Sequence, residues 1–139
     1  MIVCENAETV QVLLDLPGVM ALSGSGYAIS GLLEVSWVQA VPILYWGDLD
    51  ADGFRILDRA RHHHPRVRSV LMDRRTFAAH RELSVHVEPR TPVTTTQLTD
   101  AEQSLHADLA TTGERLEQER IEIGFAVAAL RTAVDDASA

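Results

Sequence analysis

The feature that most constrains this 139-residue chain is an apolar segment that runs directly into a cluster of carboxylates. Residues 42–46 read Pro-Ile-Leu-Tyr-Trp, which has the length and composition of a buried strand. Asp48, Asp50 and Asp52 follow at every second position, and Gly53 opens a segment with the apolar spacing of a helix. α/β proteins place ligand-binding groups in such a turn, between a strand and a helix at the carboxyl edge of a sheet. The chain is therefore predicted to be an α/β domain with a site at this turn.

The three aspartates indicate a divalent metal site, because carboxylates this close repel one another unless a cation lies among them. Their hard oxygen atoms favour magnesium, manganese or calcium. Asp52 stands where the helix is predicted to begin, so its expected role is that of an N-cap, with metal contact as the alternative. An EF-hand calcium loop is excluded, because its twelfth position, counted from Asp48, holds Arg59 where a bidentate glutamate is needed.

The rest of the chain alternates between apolar segments and segments with helical spacing. Strands are predicted over residues 2–4, 19–22, 42–46, 67–72 and 85–88, and helices over 6–14, 27–37, 53–63, 76–81, 99–112 and 114–134. Asn6 and Thr99 are expected to cap the first and fifth of these helices, Thr99 in a capping box with Glu102, and Trp37 is expected in the core. This alternation predicts a Rossmann-like, mostly parallel sheet of four to five strands flanked by helices. Residues 1–90 are expected to form the core, and residues 91–139 a helical carboxyl-terminal extension of the same domain.

A third acidic partner is expected from the first strand. Glu5 ends that strand and Asp48 and Asp50 follow the third, and parallel strands end at the same edge of a sheet. The three carboxylates can therefore converge and hold one or two magnesium ions against a phosphodiester. Asp73 ends the fourth predicted strand at the same edge, where it is a candidate to support the ligands.

The charge distribution bears on the substrate. The net charge is −8 and there is no lysine, which argues against a free-standing nucleic-acid binder. Residues 53–90 nevertheless carry nine arginines, among them Arg55, and such a segment suits a phosphate-bearing substrate bridged by metal as well as it suits solvated helix faces. Gly24 and Gly26 precede a predicted helix and could cradle a phosphate or simply form the turn. The single cysteine fits a reducing compartment, so a cytoplasmic location is expected.

Glu5 and the stretch Asp48-Leu49-Asp50-Ala51-Asp52-Gly53 resemble the Glu and DxDxxG motifs of the Toprim domain of topoisomerases, primases and related nucleases. The stretches CENAET, GSGYAI, YWGDLDADGFRIL, RSVLMDRRT and RLEQERI are similar, in that order, to the carboxyl-terminal domain of the JetD family. That family supplies the nuclease subunit of the Wadjet anti-plasmid system and is related to the A subunit of topoisomerase VI. The resemblance extends from Ile2 to about Leu130.

This resemblance implies magnesium-dependent cleavage of double-stranded DNA, with Glu5, Asp48 and Asp50 as metal ligands and manganese as a substitute. It also implies an SMC-type complex that delivers the DNA, a homodimer, and a DNA-binding region that precedes this domain in the family and is absent here. In topoisomerase VI that region carries the attacking tyrosine. Neither Tyr27 nor Tyr45 matches it, so water is the expected nucleophile.

Arg115, Gln118 and Glu119 belong to the stretch that resembles the family's RLEQE sequence. They are predicted on one helix, where they would either orient the carboxylates or form a surface face.

Two alternatives stay open from the sequence. A haloacid-dehalogenase-type phosphatase would use Asp48 as its nucleophile, but it usually has Thr or Val at the position of Asp52 and a later lysine, which this chain lacks. A non-catalytic Toprim domain would only dock a partner.

Overall fold

The computed structural model of the protein describes residues 1–13, 16–24 and 28–138. Within them, the centre is a four-stranded parallel sheet in the order β2-β1-β3-β4. The strands are β1 (Ile2–Cys4), β2 (Ala21–Ser23), β3 (Ile43–Trp46) and β4 (Val67–Ser69). The two central strands, β1 and β3, are buried along their whole length, as expected for parallel strands that are covered on both faces. The predicted α/β class with a parallel sheet is therefore confirmed.

Helices connect and cover these strands. They are α1 (Ala7–Val12), α2 (Ile29–Leu33), α3 (Ala51–His63), α4 (Arg74–His80), α5 (Asp100–Thr112) and α6 (Ile123–Ser138). Two predicted caps are confirmed: the Asn6 side chain accepts a hydrogen bond from the Glu8 N–H, and Thr99 and Glu102 form a reciprocal capping box. Among the residues that the structure describes, no helix is long and apolar enough to cross a bilayer.

Several boundaries differ from the sequence prediction. The fourth strand ends at Ser69 instead of continuing to residue 72, because Leu71 has a φ of 63°, which no strand accommodates. The helix predicted over residues 27–37 is shorter, with α2 ending at Leu33 and a 3-10 turn at Val38–Ala40, while Tyr27 lies outside the described residues. Trp37 was expected in the core but is half exposed.

The largest correction concerns the chain after α5, where a helix was predicted over residues 114–134. Gly113 ends α5 in the left-handed conformation, with a φ of 72°, and turns the chain back. A short strand, β6 (Glu114–Arg115), then pairs antiparallel with β5 (Val85–His86), outside the main sheet. A 3-10 turn at Gln118–Arg120 precedes α6. Residues 115–119 therefore do not lie on one helix face.

A single bridge brings this segment to the sheet. Leu49 and Leu116 exchange both backbone hydrogen bonds, at 2.9 and 3.1 Å, and both side chains are fully buried. Leu49 lies between Asp48 and Asp50, so the bridge places Arg115 directly beside the acidic turn. The carboxyl-terminal segment is thus part of the site.

Candidate active site

The structure brings three of the predicted acidic residues to one edge of the sheet. Glu5 follows β1, and Asp48 and Asp50 follow β3, which lies beside β1 with Cys4 paired to Trp46. Burial raises the pKa of Glu5 to about 7; the hydrogen bond from Tyr45 opposes this, and the charges of Asp48 and Asp50 add to it. The three carboxylates are therefore close enough to repel one another.

Glu5 is held by groups from two other parts of the chain. The Tyr45 hydroxyl donates to Glu5 Oε1 at 2.5 Å, and the Glu5 N–H donates to Gln118 Oε1 at 3.2 Å. Burial, followed by the Glu5 charge, raises the pKa of Tyr45, so the hydroxyl stays protonated and can donate. Gly47 leaves the room for this contact, because a Cβ there would collide with Glu5 Oε1 and lie 2.6 Å from the Tyr45 hydroxyl.

Asp48 has both carboxylate oxygens engaged. Oδ1 accepts a hydrogen bond from the Gln118 N–H at 2.8 Å, and Oδ2 accepts one from Arg115 Nη2 at 2.9 Å. Burial still raises the pKa of Asp48, with Asp50 adding to the shift and the Gln118 N–H and Arg115 opposing it. A nucleophilic carboxylate, which the phosphatase alternative needs, would require one of these oxygens to be released.

Asp50 is the N-cap of α3. Its Oδ1 accepts a hydrogen bond from the Gly53 N–H at 2.7 Å, and its Oδ2 lies 3.4 Å from Arg115 Nε. Gly53 is required at this place, because a Cβ would overlap the Asp48 carbonyl oxygen. The DxDxxG spacing therefore has a local physical cause: Asp50 caps the helix, and Gly53 lets the first turn pack against the backbone of Asp48.

The prediction that Asp52 caps the helix was wrong, because α3 begins at Ala51 and Asp50 takes that position. Asp52 instead accepts two hydrogen bonds from Arg90 Nη1, at 2.9 and 2.8 Å, and lies 3.4 Å from Arg55. Arg55, a candidate for phosphate binding, is thus paired with an acidic side chain in this structure.

Arg115 is shared among several carboxylates. Its guanidinium contacts Asp48 and Asp50 as described, and its Nη2 also lies 3.8 Å from Glu117 Oε1. Its buried Nε makes no hydrogen bond within the described part of the chain. One cation therefore faces three acidic groups, with Glu5 close by, and the site keeps an excess of negative charge.

The residue types at this edge suit a hard divalent cation, since Glu5, Asp48 and Asp50 offer carboxylate oxygens. Their contacts do not present such a site directly: in the described ranges, no three side chains of His, Cys, Asp or Glu are arranged to hold a metal ion. At Asp48 and Asp50, protein donors hold three of the four carboxylate oxygens.

Three further predicted site residues lie in the described part of the chain. Asp73 follows β4 and caps α4 by accepting from the Thr76 N–H at 2.8 Å. Glu119 is exposed on its 3-10 turn. Gly24 donates its N–H to the Cys4 carbonyl at 2.8 Å, which extends the β1–β2 pairing, and Gly26 lies outside the described residues.

The structure gives supporting roles to two residues near the cluster. Tyr45 was considered only as a nucleophile, but its hydroxyl holds Glu5. Gln118 was predicted on a helix, either to orient the carboxylates or to lie on a surface face; it lies in a 3-10 turn, is fully buried and contacts Glu5 and Asp48. The sequence offered no local signal for the burial of Gln118, because the charged residues Glu117 and Glu119 flank it.

Comparison with known proteins gives one family. A family described as "Wadjet protein JetD, C-terminal" matches residues 1–130, which contain every residue of the carboxylate cluster. No curated protein matches the chain.

Proposed function

The chain belongs to the Wadjet JetD C-terminal family, and from this membership and the carboxylate cluster we propose that it is the Toprim-type catalytic domain of a DNA endonuclease. The observation that carries the proposal is the excess negative charge at the carboxyl edge of the sheet. There Glu5, Asp48 and Asp50 converge, and Arg115 neutralises only part of their charge. A site of this kind suits a cation-bridged phosphodiester.

In this proposal Glu5, Asp48 and Asp50 bind Mg²⁺, and Mn²⁺ can substitute for it. A bound divalent cation would supply a water of lowered pKa and neutralise charge on a phosphodiester. The chain's own residues position the ligands: the Tyr45 hydroxyl orients Glu5, and the Gln118 N–H orients Asp48. Asp52 is left out of the ligand set because Arg90 holds its carboxylate.

The proposed substrate is double-stranded plasmid DNA, delivered by an SMC-type defence complex in the cytoplasm. With a net charge of −8 the domain repels DNA, so the proposal assigns DNA binding to a preceding region of the full-length subunit. A double-strand break requires a cut on each strand, which leads us to propose a homodimer in that context.

Calorimetric titration with MnCl₂ tests the metal site directly. We expect the chain to bind Mn²⁺, and Asp48→Asn and Asp50→Asn each to weaken binding by at least about tenfold, because each removes a charged ligand. Asp108→Asn is the matched control, since Asp108 is an exposed carboxylate that pairs with Arg74. Binding that is the same in all four proteins would refute the metal site.

Cleavage is tested by incubating supercoiled plasmid and Mg²⁺ with the domain in its full-length subunit and complex. We expect nicked and linear products that disappear in Asp48→Asn and persist in Asp108→Asn. If metal binding is intact and no cleavage occurs, the domain is a non-catalytic docking module.

A further inference from the structure

We propose that Arg115 is an internal counter-ion of the acidic cluster, which a divalent cation must displace from Asp48 and Asp50 in order to bind. This inference rests on the proposed metal site and adds a conformational step to it. Without the cation, the guanidinium holds the carboxylates together; with the cation, the guanidinium leaves them.

Arg115 occupies the position that the displacement requires. Arg115 Nη2 lies 2.9 Å from Asp48 Oδ2, and Nε lies 3.4 Å from Asp50 Oδ2, so the guanidinium contacts one oxygen of each aspartate. The other two oxygens accept from the backbone N–H groups of Gln118 and Gly53. The oxygens that face Arg115 are therefore the ones that the guanidinium would leave free for a divalent cation if it moved away.

The Arg115 guanidinium has an incomplete set of hydrogen bonds. Strong arginine–carboxylate ion pairs are frequently bidentate, with two parallel N–H···O bonds. Here the buried Nε finds no acceptor in the described part of the chain, although the Asp50 carboxylate is near it. Charge attraction therefore accounts for most of this contact. A smaller, doubly charged ion competes effectively with the guanidinium for the same carboxylates.

The Arg115 side chain can move while the backbone on its carboxyl-terminal side stays fixed. Leu116 is fully buried and doubly hydrogen-bonded to Leu49, and Gln118 is fully buried beneath Glu5. The Arg115 side chain is 36% exposed, so it can rotate toward solvent without breaking either anchor. Glu117, whose Oε1 already lies 3.8 Å from Nη2, is the neighbouring acceptor for the displaced guanidinium.

The test measures Mn²⁺ affinity by calorimetry in Arg115→Ala, Arg115→Lys and Arg74→Ala. Arg74 is the matched control, since it is an arginine that pairs with an exposed carboxylate outside the cluster, that of Asp108. We expect about tenfold tighter binding in Arg115→Ala, because a competing charge is removed, and wild-type affinity in the other two. Circular dichroism confirms that each variant is folded.

A second readout follows the side chain itself. In ¹⁵N spectra the Arg115 Nε–Hε signal, identified by its loss in Arg115→Lys, should shift when Mg²⁺ is added to the wild type. One result would overturn this inference and leave the proposed metal site intact. In it, the wild type binds metal in a way that depends on Asp48, Arg115→Ala binds with the same affinity, and the Nε–Hε signal does not shift. If neither the wild type nor Arg115→Ala binds metal, the proposed metal site fails as well.

Discussion

Two arginine–carboxylate clusters in this domain have similar contact distances and opposite electrostatic balance. Arg61 donates two hydrogen bonds to Glu102, at 2.6 and 3.0 Å, and both side chains are nearly buried, at 12% and 9% exposed. Burial alone would raise the pKa of Glu102, but its hydrogen bonds, first that of Arg61, lower it. At the acidic turn, the pKa of Asp48 is raised although Arg115 lies 2.9 Å away.

The difference lies in how many partners each carboxylate has. Glu102 also accepts from the Ser69 hydroxyl and the Thr99 N–H, and among the residues that the structure describes no second acid pairs with Arg61. Asp48, Asp50 and Glu117 compete for Arg115. The first cluster joins α3, β4 and α5 and contributes to stability, whereas the second leaves negative charge uncompensated, as a site for an external cation would.

The largest effect should follow from breaking the balanced cluster. Arg61→Ala is expected to lower the free energy of unfolding by about 3 kcal/mol, because it leaves the buried Glu102 charge without its cation. Arg61 also donates to the carbonyl oxygens of Val67 and Gln97, and these bonds are lost too. Urea denaturation measures the change.

The matched comparison is Arg115→Ala, for which we expect a change of no more than about 1 kcal/mol, because that side chain is partly exposed. Equal losses of unfolding free energy in the two variants would mean that both clusters serve stability alone.

A smaller effect, with the opposite sign, is expected at Glu5. Its pKa in the folded protein is about 7, above the ordinary 4.5, so the folded state binds more protons between these values. Stability should therefore fall as the pH rises from about 4.5 to about 7. Glu5→Gln removes this loss. We expect this variant to be about 1–2 kcal/mol more stable than the wild type near pH 8, a value reduced to allow for the partial exposure of Glu5. At or below about pH 4.5 the two proteins should be equally stable.

Urea denaturation in EDTA at the two pH values checks this prediction. Glu88→Gln, which changes an exposed glutamate, is the control and should behave as the wild type. A Glu5→Gln protein that is less stable near pH 8 would show that burial and the neighbouring charges do not disfavour the charged form of Glu5 in the folded state.

Local rules predicted much of this molecule. The caps Asn6 and Thr99, the apolar strands β1 and β3, and the position of Glu5 beside the aspartates follow from patterns within a few residues and from the geometry of parallel strands. These features depend on nearest neighbours in the chain or on the common edge of one sheet.

Contacts between distant segments were not predictable in the same way. The Leu49–Leu116 bridge takes the place of a helix that the spacing around Arg115 favoured, because Gly113 turns the chain back after α5 and Leu116 then becomes fully buried against Leu49. Arg90 likewise reaches Asp52 from a loop with no periodic pattern. Sequence therefore predicted which carboxylates lie at the edge, but it left open whether Arg115 faces them or lies on the surface.

The smallest effect should come from a third ion pair, which tests whether distance or burial decides the contrast. Arg74 Nη2 lies 2.5 Å from Asp108 Oδ2, closer than Arg115 is to Asp48, but the two side chains are 56% and 58% exposed. Water screens such a pair, so Arg74→Ala should change the free energy of unfolding by less than about 0.5 kcal/mol in urea denaturation. A loss comparable to that of Arg61→Ala would mean that contact distance, and not burial with a full set of partners, determines what each cluster contributes.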